Sequence, residues 1–191
     1  MVKIISVQQF RKDRKEVLKD IQKGLVFVYP TDTIYGIGCD ATNQKAVARV
    51  RQAKQRDRKP FSVIVPSKQW IQKNCMVTKK AVVWLRRLPG HYTLILKLKN
   101  KKCVAANVTL RSGKLGIRIP KNLSASLARD TKKPIVSTSA NLTGQPFMTN
   151  LDNLNVLVKE KVDLIIYEGQ KKARPSTIVD LTGEKPVIMK R

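Results

Sequence analysis

Four stretches of small polar residues could do chemistry: 30–40 (PTDTIYGIGCD), 54–62 (KQRDRKPFS), 137–146 (STSANLTGQP) and 174–180 (RPSTIVD). In the first, Thr31, Asp32, Thr33 and Tyr35 offer hydroxyls and a carboxylate to a small polar metabolite. The second holds Lys54, Arg56, Arg58 and Lys59, a cationic cluster able to grip a di- or triphosphate, although cations at a helix C-terminus are also what the macrodipole favours. The third supplies Ser137, Thr138, Ser139 and Asn141, neutral donors of the kind that hold phosphate oxygens or fix a carboxylate. Basic grip plus neutral donors suits a nucleotide.

Arg118 stands in the alternating run Leu115-Gly116-Ile117-Arg118-Ile119. A guanidinium buried there needs an anionic partner, which a ligand carboxylate would supply; the other reading is an exposed strand face. Asp32, Asp40 and Asp57 could hold magnesium on bound phosphates, but no pair has diagnostic spacing and each also reads as a turn or cap residue. The single histidine, His91, excludes histidine-rich metal sites and reads as a loop or packing residue. Cys39 has no lysine or histidine neighbour in sequence to lower its pKa and is not read as a nucleophile. Gly36-x-Gly38-x-x-Ala41 nominally matches a dinucleotide fingerprint, but Pro30 to Tyr35 intervene between strand and glycines, and a conventional P-loop is absent.

Elements that could position these loops follow from hydrophobic periodicity. A strand is expected at 3–7, then one helix over 8–23 with Phe10, Val17, Leu18 and Ile21 on a common face and Gly24 as its stop. A buried strand at 25–29 precedes a polar loop running to Asp40, and a helix over 43–54 takes Thr42 as N-cap. Strands are expected at 61–65, 92–98, 115–119, 134–137, 163–167, 176–181 and 186–190 and helices at 67–73, 79–88 and 122–130, so strand-helix-strand units mix with adjacent strands. Trp70 and Trp84 fall in helical patterns and read as core. The order predicts an α/β fold: a single twisted open sheet of mixed parallel and antiparallel strands flanked by helices. Strand-end loops of such a sheet converge on one crevice, so the four stretches predict one site.

The chain has 191 residues, 42% of them apolar, which predicts one domain over residues 1–191 with a sizeable core. Lys plus Arg number 39 against 13 Asp plus Glu, a net charge of +26. That surplus attracts polyanions and makes RNA the first candidate partner, with phosphate contacts favoured over base contacts because aromatics are only 5%. The plainer reading is a solubility device. Three cysteines, 39, 75 and 103, suit neither a disulfide framework nor a zinc knuckle, and no secretory leader or run of 18 apolar residues occurs. A soluble protein of a reducing, cytoplasmic compartment, away from membranes, is the expectation.

Taken together, YPTDTIYGIGCDA, Lys54-x-Arg56, KPFSVIV, LPGHYTLILK, LGIRIP, Ser139-x-Asn141 inside STSANLTGQP, and PSTIVD resemble, in order and over nearly the whole chain, the YrdC family of threonylcarbamoyl-AMP synthases in its short form, called TsaC in bacteria. The further C-terminal domain of larger members is not expected here. The resemblance implies that L-threonine, bicarbonate and ATP, with magnesium on the phosphates, give threonylcarbamoyl-AMP and pyrophosphate. The product serves the t6A modification of adenosine 37 in tRNA and would pass to t6A transferase proteins. It implies that Lys54, Arg56, Arg58, Ser139 and Asn141 bind ATP, that Thr31, Ser62, Arg118, Ser137 and Ser176 surround threonine and the carbamate, and that no covalent nucleophile is needed. The family commonly has a proline where His91 stands, and some members have a histidine where Ile64 stands. The rival expectation is a non-catalytic module of the same fold that binds tRNA or double-stranded RNA.

Overall fold

The computed structural model describes residues 2–56 and 58–190. The first half runs β1 (Lys3–Ser6), α1 (Val7–Lys12), α2 (Arg14–Lys23), β2 (Phe27–Pro30), β3 (Tyr35–Gly38), α3 (Gln44–Lys54), β4 (Ser62–Ile64), α4 (Lys68–Asn74) and α5 (Lys79–Leu85). The second half runs β5 (Tyr92–Lys97), α6 (Ala106–Thr109), β6 (Lys114–Arg118), α7 (Leu123–Thr131), β7 (Ile135–Ser139), α8 (Val156–Lys161), β8 (Leu164–Tyr167), β9 (Thr177–Asp180) and β10 (Val187–Met189). The strands form one sheet in the order β1-β8-β2-β3-β7-β4-β6-β5-β9-β10. β1, β8 and β2 pair in parallel, as do β4 with β6 and β5 with β9, while the other neighbours are antiparallel. The mixed α/β sheet is the one that strand and helix order predicted.

Side chains alternate across this sheet and sort into two environments. One face carries Val28, Ile37, Val63, Leu94, Ile117 and Val136, which join Val47 and Val50 of α3 in the larger core. The opposite face carries Phe27, Tyr29, Ile64, Ile135 and Leu164, covered by Phe10 of α1, Val17 and Ile21 of α2, and Leu127 and Ala128 of α7. That apolar cover reaches only to Tyr29, Ile135 and Ile64. Beyond it the same face bears Gly36, Ser137, Ser139, Ser62, Gly116 and Thr93, so the sheet turns from core to cleft within one surface.

The sequence-expected helix over 8–23 is two helices. Asp13 breaks it with φ −87° and ψ 12°, receiving the Gln9 amide at 2.9 Å, and its carbonyl starts α2 by accepting from Val17 N at 3.1 Å. Gly24, at φ 108°, ends α2 as expected. Thr42 is not the cap of α3: Asn43 accepts from Ala46 N, whereas Thr42 donates its hydroxyl and its N–H to Asp40. The stretch read as loop to Asp40 contains β3. Its glycines are required by Tyr29, because a Cβ on Gly38 would stand 2.7 Å from the Tyr29 ring and 2.8 Å from the Val136 carbonyl. Gly36 and Gly38 therefore lie inside a strand and form no dinucleotide turn. The tryptophans sit at the core margin, half-buried, with Trp84 edge-on to Tyr92 at 5.6 Å.

Candidate functional site

Strand register assembles the cleft floor. Ser137 of β7 lies opposite Ser62 of β4, which lies opposite Gly116 of β6, while Ser139 lies opposite Gly36 of β3. Paired residues point to the same side, so hydroxyls from separate strands stand in one row. Gly116 makes the row possible. A Cβ there would meet Ser62 Oγ at 2.5 Å and Thr93 Cγ2 at 3.3 Å. The Thr93 and Ser176 hydroxyls share a hydrogen bond of 2.8 Å, and Thr31 Oγ1 donates to the Ile34 carbonyl at 2.6 Å while accepting from Thr33 N. Thr31, Ser62, Thr93, Ser137, Ser139 and Ser176, with Arg56, Arg118, Tyr35 and Thr138, line one polar cavity. Pro175, beside Ser176, belongs to a second, more open hollow that carries Lys171, Lys172, Arg174 and Phe147.

Arg118 is buried, and the protein itself supplies the anion. Its Nη2 donates to Asp32 Oδ1 at 2.6 Å, with side-chain exposures of 8% and 4%. The sequence left a ligand carboxylate or an exposed face as the alternatives; in the structure Arg118 is buried and its partner is Asp32. Asp32 Oδ2 and Arg118 Nε are buried without a hydrogen-bond partner, which costs about 1–3 kcal/mol for each such group. His91, 64% exposed on its side chain, brings Nε2 within 3.7 Å of Asp32 Oδ2.

Lys54 sits behind the cleft wall rather than in it. Its Nζ donates to the Ser139 carbonyl at 2.6 Å, the Asn141 carbonyl at 2.7 Å and Asn141 Oδ1 at 2.9 Å, and the residue is 1% exposed. All three ammonium protons are thereby spent on protein acceptors. Asn141 Oδ1 also accepts from Ser139 Oγ at 2.6 Å, and its amide donates to the Gln145 carbonyl. Burial, then the nearby Arg56, push the Lys54 ammonium down to about 7. In this arrangement Lys54 and Asn141 shape the Ser139 turn, and the cavity is lined on that side by Arg56, which donates to the Pro60 carbonyl at 2.8 Å and lies over the Phe61 ring. Arg58 is exposed and does not line the cavity.

Of the sequence-nominated residues, Thr31, Arg56, Ser62, Arg118, Ser137, Ser139 and Ser176 line one cavity. Thr93, Tyr35 and Gly36 join them. Thr93 was legible in principle, since it keeps the phase of Ile95, which lies opposite Gly116. Asp32 pairs with Arg118, Asp40 receives Thr42, and Asp57 lies outside the described residues. Among the described residues no group of three or more His, Cys, Asp or Glu stands close enough to hold a metal ion. Burial pushes the thiols up, to about 12 at Cys75 and about 11 at Cys103, and Cys39 likewise upward, which disfavours the thiolate a nucleophile needs. Tyr29, whose phenol burial also pushes up, donates to the Val136 carbonyl beneath the floor.

An α/β sheet of this kind is shared with known proteins. Residues 19–191 match the Sua5/YciO/YrdC family model, described as telomere recombination. A putative threonylcarbamoyl-AMP synthase of Methanocaldococcus jannaschii is 34% identical over 98% of this chain and 92% of its own. Sua5 of P. abyssi, solved with L-threonine, superposes with a TM-score of 0.84 at 25% identity, covering 98% of this chain and 56% of that one. YciO of E. coli gives a TM-score of 0.85 at 27% identity over 100% and 96%. The chain belongs to the Sua5/YciO/YrdC family. It spans just over half the length of the Sua5 chain it resembles.

Proposed function

We propose that the protein is an L-threonylcarbamoyladenylate synthase. L-threonine and bicarbonate form a carbamate, a carbamate oxygen attacks the α-phosphorus of ATP, pyrophosphate leaves, and one water is released overall. The observation that carries this reading is the meeting, in one cavity, of a buried guanidinium, a hydroxyl row and a second arginine. Arg118 is the partner for the amino-acid carboxylate, and Thr31, Ser62, Ser137 and Ser176 hold the hydroxyl and carbamate oxygens. Arg56 and Ser139 face the phosphates, with Lys54 and Asn141 fixing that wall from behind. Such a site works by positioning and by charge neutralisation, and it requires no covalent intermediate.

Magnesium enters as the ATP complex, as part of the substrate. The class is nucleotidyl transfer. The product would supply the t6A modification of tRNA through separate transferase proteins, and the surplus of 26 positive charges favours direct tRNA contact through phosphates. No described helix is long and apolar enough to cross a membrane. The family likeness and the reduced cysteines fit a cytoplasmic enzyme. Incubation with carbon-13 bicarbonate, L-threonine and Mg-ATP, followed by mass spectrometry, tests the reading. A labelled threonylcarbamoyl adenylate is expected, and unlabelled AMP or ADP alone would overturn it.

A further inference from the structure

The cleft contains one arrangement that neither the strand register nor the phosphate side explains. Arg118, the buried guanidinium suited to a substrate carboxylate, already donates Nη2 to Asp32 and has its charge compensated there, so an incoming carboxylate must compete with Asp32 for it. Asp32 uses one oxygen for this. Its other oxygen has no hydrogen bond, is buried, and lies 3.7 Å from Nε2 of an exposed imidazole. The groups around Asp32 are the Arg118 guanidinium from β6, the His91 imidazole from the turn before β5 and the Tyr29 phenol from β2. Arg87, near His91 in sequence, is drawn away onto the Trp84 ring at 4.3 Å.

We propose that Asp32 is a displaceable counter-ion of Arg118 and that His91 is the positioning residue that draws it off when the amino-acid carboxylate binds. The inference rests on the synthase reading for the identity of that amino acid. With the imidazole charged, Asp32 Oδ2 gains a cationic partner at its unpaired oxygen, its hold on Oδ1 weakens, and the Arg118 fork opens to the ligand. With the imidazole neutral, Asp32 stays on Arg118 and competes with the ligand. Imidazole is the side chain whose charge changes across the physiological pH range, so amino-acid affinity follows the charge of His91. Tyr29 stays a neutral phenol throughout that range and contributes no competing titration.

The test is calorimetric binding of L-threonine to the full chain between about pH 5.5 and 8, for the native protein, His91→Gln and His91→Lys. Native affinity should rise about two- to fivefold toward acid, the size expected of one partly exposed charge pair. His91→Gln should hold the weaker affinity across the range, and His91→Lys the stronger one. Affinity for an ATP analogue should be the same in all three proteins at each pH. Threonine binding with the same pH profile in native protein and His91→Gln would overturn the inference and leave the synthase reading intact. No threonine binding by any of them would overturn that reading and the inference with it.

Discussion

Lys54 Nζ and Asn141 are joined twice, at 2.7 Å to the carbonyl and 2.9 Å to Oδ1, across 87 residues of sequence. The ammonium is thus a clasp for the turn that delivers Ser139 to the cleft. Replacing Lys54 with Met removes a donor from three acceptors; the Ser139 carbonyl keeps Asn141 N and Asn141 Oδ1 keeps Ser139 Oγ, so the Asn141 carbonyl carries the main penalty, about 1–3 kcal/mol before relaxation. The expected outcome is a folded protein of lower melting temperature whose pyrophosphate release drops at least about a hundredfold. Lys54→Arg should fail to restore it, because a planar fork cannot reproduce three donors on one nitrogen. Calorimetry with a turnover assay checks both points.

The same residue gives a pH signature. Its folded value, about 7, lies below the unfolded lysine value of about 10.4, so between them the unfolded chain binds more protons. From this group, stability therefore rises as pH climbs through that window. The clasp meanwhile loses a donor, since a neutral amine has two N–H groups. Melting temperature followed from about pH 7 to 10 should show this rising component in the native protein and lack it in Lys54→Met.

Gly116 tests the hydroxyl row. An alanine methyl would stand 2.5 Å from Ser62 Oγ, so the serine must turn away or the strand must shift. Gly116→Ala is expected to cost about 1–3 kcal/mol of stability and to weaken threonine binding by about tenfold or more. Its far-ultraviolet dichroism should match the native protein. Gly113, where an added Cβ meets nothing within 4 Å, serves as the contrasting position in β6's approach, although its φ of 71° adds backbone strain to any replacement.

Arg118→Met leaves Asp32 buried with only the exposed His91 imidazole, 3.7 Å away, beside it, which should destabilise the fold by about 3–5 kcal/mol. Adding Asp32→Leu removes the orphan charge, so the double variant should recover much of that stability while still failing to bind threonine. Denaturant titration beside equilibrium binding separates the two effects. Recovery of binding in the double variant would contradict the carboxylate role of Arg118.

Away from the cleft, Asp163 ties three segments. It accepts from Val26 N at 2.8 Å and from Arg49 at 2.7 Å, and Arg49 also reaches the Gly24 carbonyl. Partial burial works against ionisation, and the Arg49 and Val26 hydrogen bonds outweigh it, leaving the carboxyl below its ordinary value. Its stabilisation is present above the unfolded carboxyl pKa and is lost as pH falls through the folded one. Because the pair is well exposed, Asp163→Asn should cost only about 1 kcal/mol, read as a lower urea midpoint at neutral pH that converges with the native protein in acid.

The strand-end loops were legible because small polar residues interrupt apolar runs at the ends of strands, and open sheets gather those ends. Seven nominated residues do share one cavity. What the sequence hid depends on distant partners. Arg118 and Asp32 are 86 positions apart, and no local pattern says that they neutralise each other. Lys54 terminates a helix, where the sequence offered a phosphate grip or a match to the helix dipole, yet it turns inward onto β7. β3 was hidden by its glycines, which signal a turn in sequence but here make room for Tyr29 on the adjacent strand. The break at Asp13 left no trace in periodicity, because Phe10, Val17 and Ile21 remain on one apolar cluster across it.

Omission of single substrates is the most direct test of the central claim, that one cleft joins threonine, bicarbonate and ATP. With Mg-ATP, L-threonine and bicarbonate all present, purified protein should release pyrophosphate, and leaving out either threonine or bicarbonate should abolish it. Release at the same rate without threonine would contradict the account.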